Sequence, residues 1–228
     1  MPARFKIIAP WDNPVELIIL RHARPVAEVR PDGQGTADPP LAPIGVEQAA
    51  ATAKHLANWG IDHVVSSTMR RAVETAQPLA DQLGLPVEEI DDLKEADHYR
   101  DRYIPVEEMS RDDPMIVDYL ADPQSIFGGD YDGFRSRVTS AFDRIVDSHR
   151  GQTVAVFCHG MVMGVFLQTM LGHDNPLALH SDYCGIMRVT ASAKGFRTVR
   201  SVNETSHVRH LRDREQDATG QSNESGQP

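Results

Sequence analysis

A chain of 228 residues, 40% hydrophobic and 25% charged, is long enough to bury a substantial core and has the make-up of a soluble globular protein. Its net charge of −10 argues against nucleic acid or a membrane surface as the main partner; no stretch approaches the ~20 apolar residues of a membrane span, and Met1–Pro10 lacks an apolar run of signal-peptide length. The two cysteines, Cys158 and Cys184, are too few for a disulfide framework, so a reducing, cytoplasmic setting is expected.

Val15–Leu20 is a short β-branched run that stops abruptly at Arg21-His22, the pattern of a buried strand. A loop rich in Pro and Gly follows, from Pro25 to Pro40. Pro43 opens a helical pattern over about 43–58, with Ile44, Ala49, Ala53 and Leu56 on one face. Asp62–Ser66 predicts a second buried strand, and Thr68 an N-cap for a helix over about 69–83, closed by Gly84 and Pro86. Val87–Ile90 fits a short third strand.

Leu93–Asp130 breaks this rhythm, carrying Pro105, Pro114, Pro123 and Gly128-Gly129 without a clean period, and reads as an insertion or lid. Between Glu88 and Asp132 there are 15 Asp/Glu against 4 Lys/Arg, so this one segment holds the acidity of the chain. Helical spacing resumes over Tyr131–His149 through Phe134, Val138, Ala141, Phe142 and Ile145. Thr153–Cys158 is the clearest buried strand, and Met161–Leu171 an apolar helix whose Met161, Met163, Phe166 and Leu167 are expected in the core. Gly185–Thr190 and Phe196–Val202 predict a hairpin. Residues 1–210 are expected to form one domain, and 211–228, without apolar content, a disordered tail.

Strands alternating with helices at this spacing define an α/β protein with a largely parallel sheet, whose ligands collect at the carboxyl ends of the strands. Two of the best strands end in histidine there, at His22 and at His159. Imidazoles and arginines converging at strand ends suit a phosphate dianion, and helix N-termini after His159 and Ser67 are expected to add backbone N–H donors. A neutral imidazole facing phosphorus is a nucleophile, and the leaving oxygen then requires a carboxylic acid nearby.

These residues fall in a recognisable order. Arg21-His22-Ala23, Leu41-Ala-Pro-Ile-Gly45-Val-Glu-Gln48-Ala49, Ser66-Ser67-Thr-Met-Arg70-Arg71-Ala72-Val-Glu-Thr75-Ala76, Leu93-Lys94-Glu95, Val156-Phe-Cys-His159-Gly160 and Asn203-Glu-Thr-Ser-His207 together span about residues 15–207. The chain resembles the histidine phosphatase superfamily, on its phosphoglycerate mutase-like side. The resemblance implies a three-layer α/β/α sandwich with a mostly parallel central sheet, and the irregular acidic segment over the active site.

It also implies that His22 becomes phosphohistidine and that Arg21, Arg71 and His159 hold the phosphoryl oxygens, with Gly160 and Ser66 beside them. Glu95 is then the proton donor to the leaving group and afterwards the base for water, which requires a pKa raised by burial. Arginines take the place of a metal, and no cofactor is implied. The partner is a small phosphorylated metabolite; a homodimer is open to the chain, although no residue pattern establishes one.

Three departures bear on the substrate. Ala23 replaces the Gly of the family's R-H-G, Pro25 and Glu28 replace polar residues that follow it, and Ala96-Asp97-His98-Tyr99-Arg100 stands where G-x-x-E-G is common. Asp97 is therefore an alternative acid. A phosphatase acting on a small phosphomonoester is favoured over a mutase and over an inactive binding protein. The acidic segment, if it covers the pocket, disfavours highly phosphorylated substrates and favours a neutral or cationic remainder.

Overall fold

β1 (Val15–Arg21) is apolar on both faces because both are covered. Leu17 and Ile19 join one core cluster, while Ile18 and Leu20 join another. The same alternation runs through β6 (Thr153–Cys158), where Val154, Val156 and Cys158 face one way and Ala155 and Phe157 the other. The structure, a computed structural model, describes residues 13–31, 34–173, 175 and 178–211.

The remaining elements are β2 (Glu28–Val29), α1 (Pro43–Leu56), β3 (His63–Ser67), α2 (Arg70–Leu83), β4 (Val87–Ile90), β5 (Arg102–Tyr103), α3 (Pro114–Ala121), α4 (Tyr131–Ser148), α5 (Gly160–Leu171), β7 (Ile186–Ala191) and β8 (Arg197–Glu204). Six strands form the central sheet in the order β4-β3-β6-β1-β7-β8. β4, β3, β6 and β1 run parallel, while β7 and β8 add an antiparallel edge. Ala53 and Leu56 of α1 and Ala76, Leu79 and Ala80 of α2 pack on one face. Phe134, Val138, Phe142 and Ile145 of α4 pack on the other with Val162, Met163 and Phe166 of α5. Phe142 and Phe166 stack at 3.9 Å between ring centroids, fastening α4 to α5. Three layers result, as the family resemblance implies, around the largely parallel sheet expected from the α/β pattern.

Several local expectations change. Thr68 does not cap α2: its hydroxyl bonds Asp91 at 3.0 Å, and Met69 precedes the helix with no side-chain cap. The 93–130 segment is more ordered than its prolines suggest, holding α3, capped by Asp113, and β5, which pairs with β2. Pro114 explains how a proline-rich stretch still nucleates a helix, because at the first helical position its missing N–H costs nothing. Met161 is only half-buried, unlike Met163, Phe166 and Leu167. Leu211, placed in the tail by composition, is buried and packs with Ala49, Cys184 and Val208. The rest of that tail lies outside the described residues.

Candidate active site

Parallel register sets up the site. Arg21 lies opposite Cys158, so the next residues, His22 and His159, leave neighbouring strands side by side at the carboxyl edge of the sheet. The His22 N–H donates to Cys158 O at 2.9 Å, and the two imidazole rings lie 5.1 Å apart. β3 is the next parallel strand, and α2 follows it at once, delivering Arg71 from its first turn to the same edge. Arg71 is fully buried, an unusual fate for an arginine.

His22 has a defined tautomer. Its Nδ1 lies 2.8 Å from Ala23 O, a group that can only accept, and its Nε2 lies 3.2 Å from Arg71 Nε, a group that can only donate. Nδ1 therefore carries the proton and Nε2 the lone pair. Burial first, then the charges of Arg71 and Arg21, hold the His22 pKa well below that of a free histidine. His159 is likewise held low, by burial and then by Arg71, and its Nε2 pairs with Ser67 Oγ at 2.9 Å.

Around these rings, three buried nitrogens have no hydrogen-bond partner among the described residues: Arg21 Nε, Arg71 Nη1 and His159 Nδ1. Unpaired buried nitrogens are costly unless something binds them. Two guanidiniums in one water-poor place also favour an anion. Each is held over an aromatic ring, Arg21 4.1 Å from Tyr183 and Arg71 4.6 Å from Tyr103. The set suits a tetrahedral oxyanion. Among the described residues no group of three His, Cys, Asp or Glu is arranged to hold a metal ion.

Glu95 lies across the site. Its Oε2 accepts the Met161 N–H at 3.0 Å and its Oε1 accepts the Ala96 N–H at 2.8 Å. Burial is the largest influence on its pKa and the Asp97 charge the next, and together they outweigh these two donors and raise it to about 7. Asp97 instead contacts Arg71, Oδ1 to Nη2 at 3.3 Å. A cavity of about 340 Å³ opens above Arg21, His22, Arg71, Glu95, Asp97 and Gly160.

The structure thus brings together Arg21, His22, Arg71, Glu95, His159 and Gly160. It does not bring Ser66, whose hydroxyl bonds Ser67 O at 2.9 Å within the buried strand. Strand alternation is the reason: Ser66 shares its face with Val64, and Ser67 shares the face of Val65 and reaches His159. The expected open helix ends are also occupied: Glu95 takes the Met161 N–H of α5, and the Asp38 carboxylate takes the Arg70 N–H of α2 at 2.9 Å. Glu28 lies outside the cavity, accepting from Asp38 N and pairing with Arg30. Of the acidic 88–132 segment, only Glu95 and Asp97 contribute carboxylates to the cavity lining.

Some supporting residues carried no role in the sequence reading. The loop after His22 is clamped by Gln48, whose Oε1 accepts the Arg24 N–H at 3.0 Å, and by Thr75, whose Oγ1 accepts the Ala23 N–H at 2.9 Å. A Cβ on Gly45 would meet Arg24 O at 2.0 Å, so the loop needs glycine there. Gly45, Gln48 and Thr75 all sit in the quoted motifs; the signal was present, but not the contact it served. Cys158 is a buried core thiol whose pKa burial pushes up, as expected of an inert side chain.

The profile of the histidine phosphatase superfamily (branch 1) matches residues 17–204. This chain belongs to that superfamily. It is 31% identical over 202 residues to a bifunctional protein of Mycobacterium tuberculosis, covering 86% of this chain and 56% of that protein, so it spans about half the length of that relative. Two solved structures share the fold: a phosphoglycerate mutase from Bacillus anthracis, 22% identical with a TM-score of 0.68 over 89% of this chain and 99% of that one, and a phosphoserine phosphatase mutant from Entamoeba histolytica, 19% identical with a TM-score of 0.65 over 85% and 99%.

Proposed function

We propose that this protein is a phosphatase that hydrolyses a phosphomonoester through a phosphohistidine on His22. The observation that carries the reading is the His22 tautomer: a neutral imidazole with its lone pair on Nε2, surrounded by nitrogens of Arg21, Arg71 and His159 that have no partner among the described residues.

In the first half-reaction Nε2 attacks phosphorus, the bond from phosphorus to the alcohol oxygen breaks, and the Glu95 carboxylic acid gives its proton to that oxygen. Arg21, Arg71 and His159 hold the equatorial oxygens as charge shifts. In the second, water attacks phosphorus, the Glu95 carboxylate takes its proton, and the P–N bond breaks to return His22 and release phosphate. A Glu95 pKa of about 7 suits a group that must donate and then accept near neutrality. Asp97, in contact with Arg71, orients that guanidinium. The segment at about 93–130 covers the cavity from one side as a lid.

The test is turnover of a generic aryl phosphate with EDTA present, by the wild type and His22→Ala, together with trapping of acid-labile protein-bound phosphate. We expect turnover that survives EDTA, disappears in His22→Ala by at least about 10³-fold, and leaves trapped phosphate on His22. Transfer of the phosphoryl group to an added alcohol in preference to water would instead make the protein a transferase of the mutase kind. Phosphate trapped on another residue would overturn the mechanism.

A further inference from the structure

The part of the cavity beyond the phosphoryl end has a chemistry that its acidic segment does not announce. Ile104, Val106, Met115, Ile116 and Ile126 face it from that segment, and Leu179 lines it from the loop after α5. The two carboxylates that reach it are already engaged, Glu95 with the amides of Ala96 and Met161 and Asp97 with Arg71. α3 states the contrast within one helix. Its Met115, Ile116 and Tyr119 line the cavity, its Asp118 does not, and none of its side chains is buried in a core. Apolar side chains that face a cavity and pack against no core gain stability when something apolar covers them.

We propose that the alcohol portion of the substrate is apolar, an alkyl or aryl group seated against Ile104, Met115, Ile116, Ile126 and Leu179, with the phosphoryl group on Arg21, His22 and Arg71. The proposal rests on the phosphatase reading for the phosphoryl end. A sugar or polyol would bring several hydroxyls to a wall whose aliphatic stretch, Ile104, Met115, Ile116, Ile126 and Leu179, offers them no partners, leaving only the few polar groups such as Tyr119 and Ser181, and a buried hydroxyl without a hydrogen bond is unfavourable. A carboxylate would have only Arg100 and His180 left among the cavity's basic side chains, and His180 is mostly exposed and 3.6 Å from Asp182. The volume of about 340 Å³ lies at the small end of ligand pockets, which run roughly 300–1,000 Å³ and are mostly apolar with a few fixed polar groups. That suits a medium-sized apolar alcohol rather than a polymer.

The experiment uses the full chain with two matched series. Calorimetry of n-alkylphosphonates, from methyl to octyl, reads binding without any reaction, and kcat/KM of the corresponding alkyl phosphates reads turnover. We expect affinity and kcat/KM to rise by up to about fourfold per added methylene until the cavity is filled, and Ile116→Asn to lower that increment. Hexyl phosphate should exceed 3-phosphoglycerate and glucose 6-phosphate at least tenfold in kcat/KM. A flat binding series, or preference for either polar phosphate, would overturn the proposal even if turnover still requires His22. Binding that rises with chain length while no phosphate ester is turned over would leave the apolar site standing and sink the phosphatase reading instead.

Discussion

Arg71 Nε donates to His22 Nε2 at 3.2 Å, so the lone pair assigned to attack phosphorus is held by the cation assigned to bind the phosphoryl oxygens. An arriving phosphoryl group must take over part of this guanidinium as it meets the nitrogen. Arg71 can supply both needs because its Nη1 has no partner among the described residues while Nη2 holds Asp97. Arg71→Lys keeps the charge but not the planar set of donors. We expect it to lower kcat/KM by about 10²–10³-fold and to weaken orthovanadate inhibition in parallel. A variant within threefold of wild type in both would show that charge alone suffices.

If Glu95 is the proton donor of the proposed reaction, it should set the alkaline side of the pH profile. With its pKa at about 7, the protonated donor is lost as pH rises through that value, so kcat for esters of poor leaving groups should fall above it. Glu95→Gln should remove this limb and cost about 10²–10⁴-fold with a poor leaving group, and far less with a nitrophenolate, which needs no proton. Retention of the limb in Glu95→Gln, with its loss in Asp97→Asn, would move the acid role to Asp97.

Folding stability should carry the same groups with opposite signs. Between pH 5 and 6.5 an unfolded chain takes up protons on His22 and His159 more readily than the folded protein, where burial favours the neutral form, so these two residues make stability fall on acidification. Glu95 does the reverse: its folded pKa of about 7 exceeds its unfolded value, so the folded form binds a proton that the unfolded form releases, and stability falls as pH rises through this window. Removing Glu95 leaves only the histidine effect. Glu95→Gln should therefore steepen the loss of stability on acidification by about 1.4 kcal/mol per pH unit. Groups unchanged by the substitution, His207 among them, drop out of the difference. Urea titrations of both proteins at pH 5.0, 5.5, 6.0 and 6.5 read it directly, and parallel curves would refute it.

Ser66 and Ser67 are adjacent, buried and chemically identical, yet should behave differently. Ser67→Ala removes the partner of His159 Nε2 and should lower kcat by about tenfold through a misoriented imidazole, with KM for the same ester little changed. Ser66→Ala removes only a hydroxyl bonded to Ser67 O, costing about 1 kcal/mol of stability and leaving kcat within twofold. Equal kinetic losses would contradict the alternation of β3.

Gly45 supports the site from outside it. A Cβ there would lie 2.0 Å from Arg24 O, and backbone cannot yield as a flexible side chain can. Gly45→Ala should cost about 2 kcal/mol or more and, by displacing the loop that accepts the His22 Nδ1 proton, lower kcat in protein that remains folded. Thermal unfolding and activity measured on the same sample check both parts.

Much of this molecule can be read from its residues alone. Val15–Leu20 and Thr153–Cys158 declare themselves as strands because a sheet covered on both faces requires uninterrupted apolar runs. The order of Arg21-His22, Arg71, Glu95 and His159-Gly160 carries the family. The helix caps and the short α3 were less legible, because Thr68 finds Asp91 across the chain and Pro114 starts a helix where proline more often ends one. What only tertiary structure decided is contact. Parallel register of β1 and β6 puts His22 beside His159, strand alternation sends Ser67 rather than Ser66 to the site, and folding of the 103–126 segment turns its isoleucines and methionines towards the cavity. Composition records how many charges a segment carries, but the direction each side chain points depends on what packs against it, and that is set only when distant parts of the chain meet.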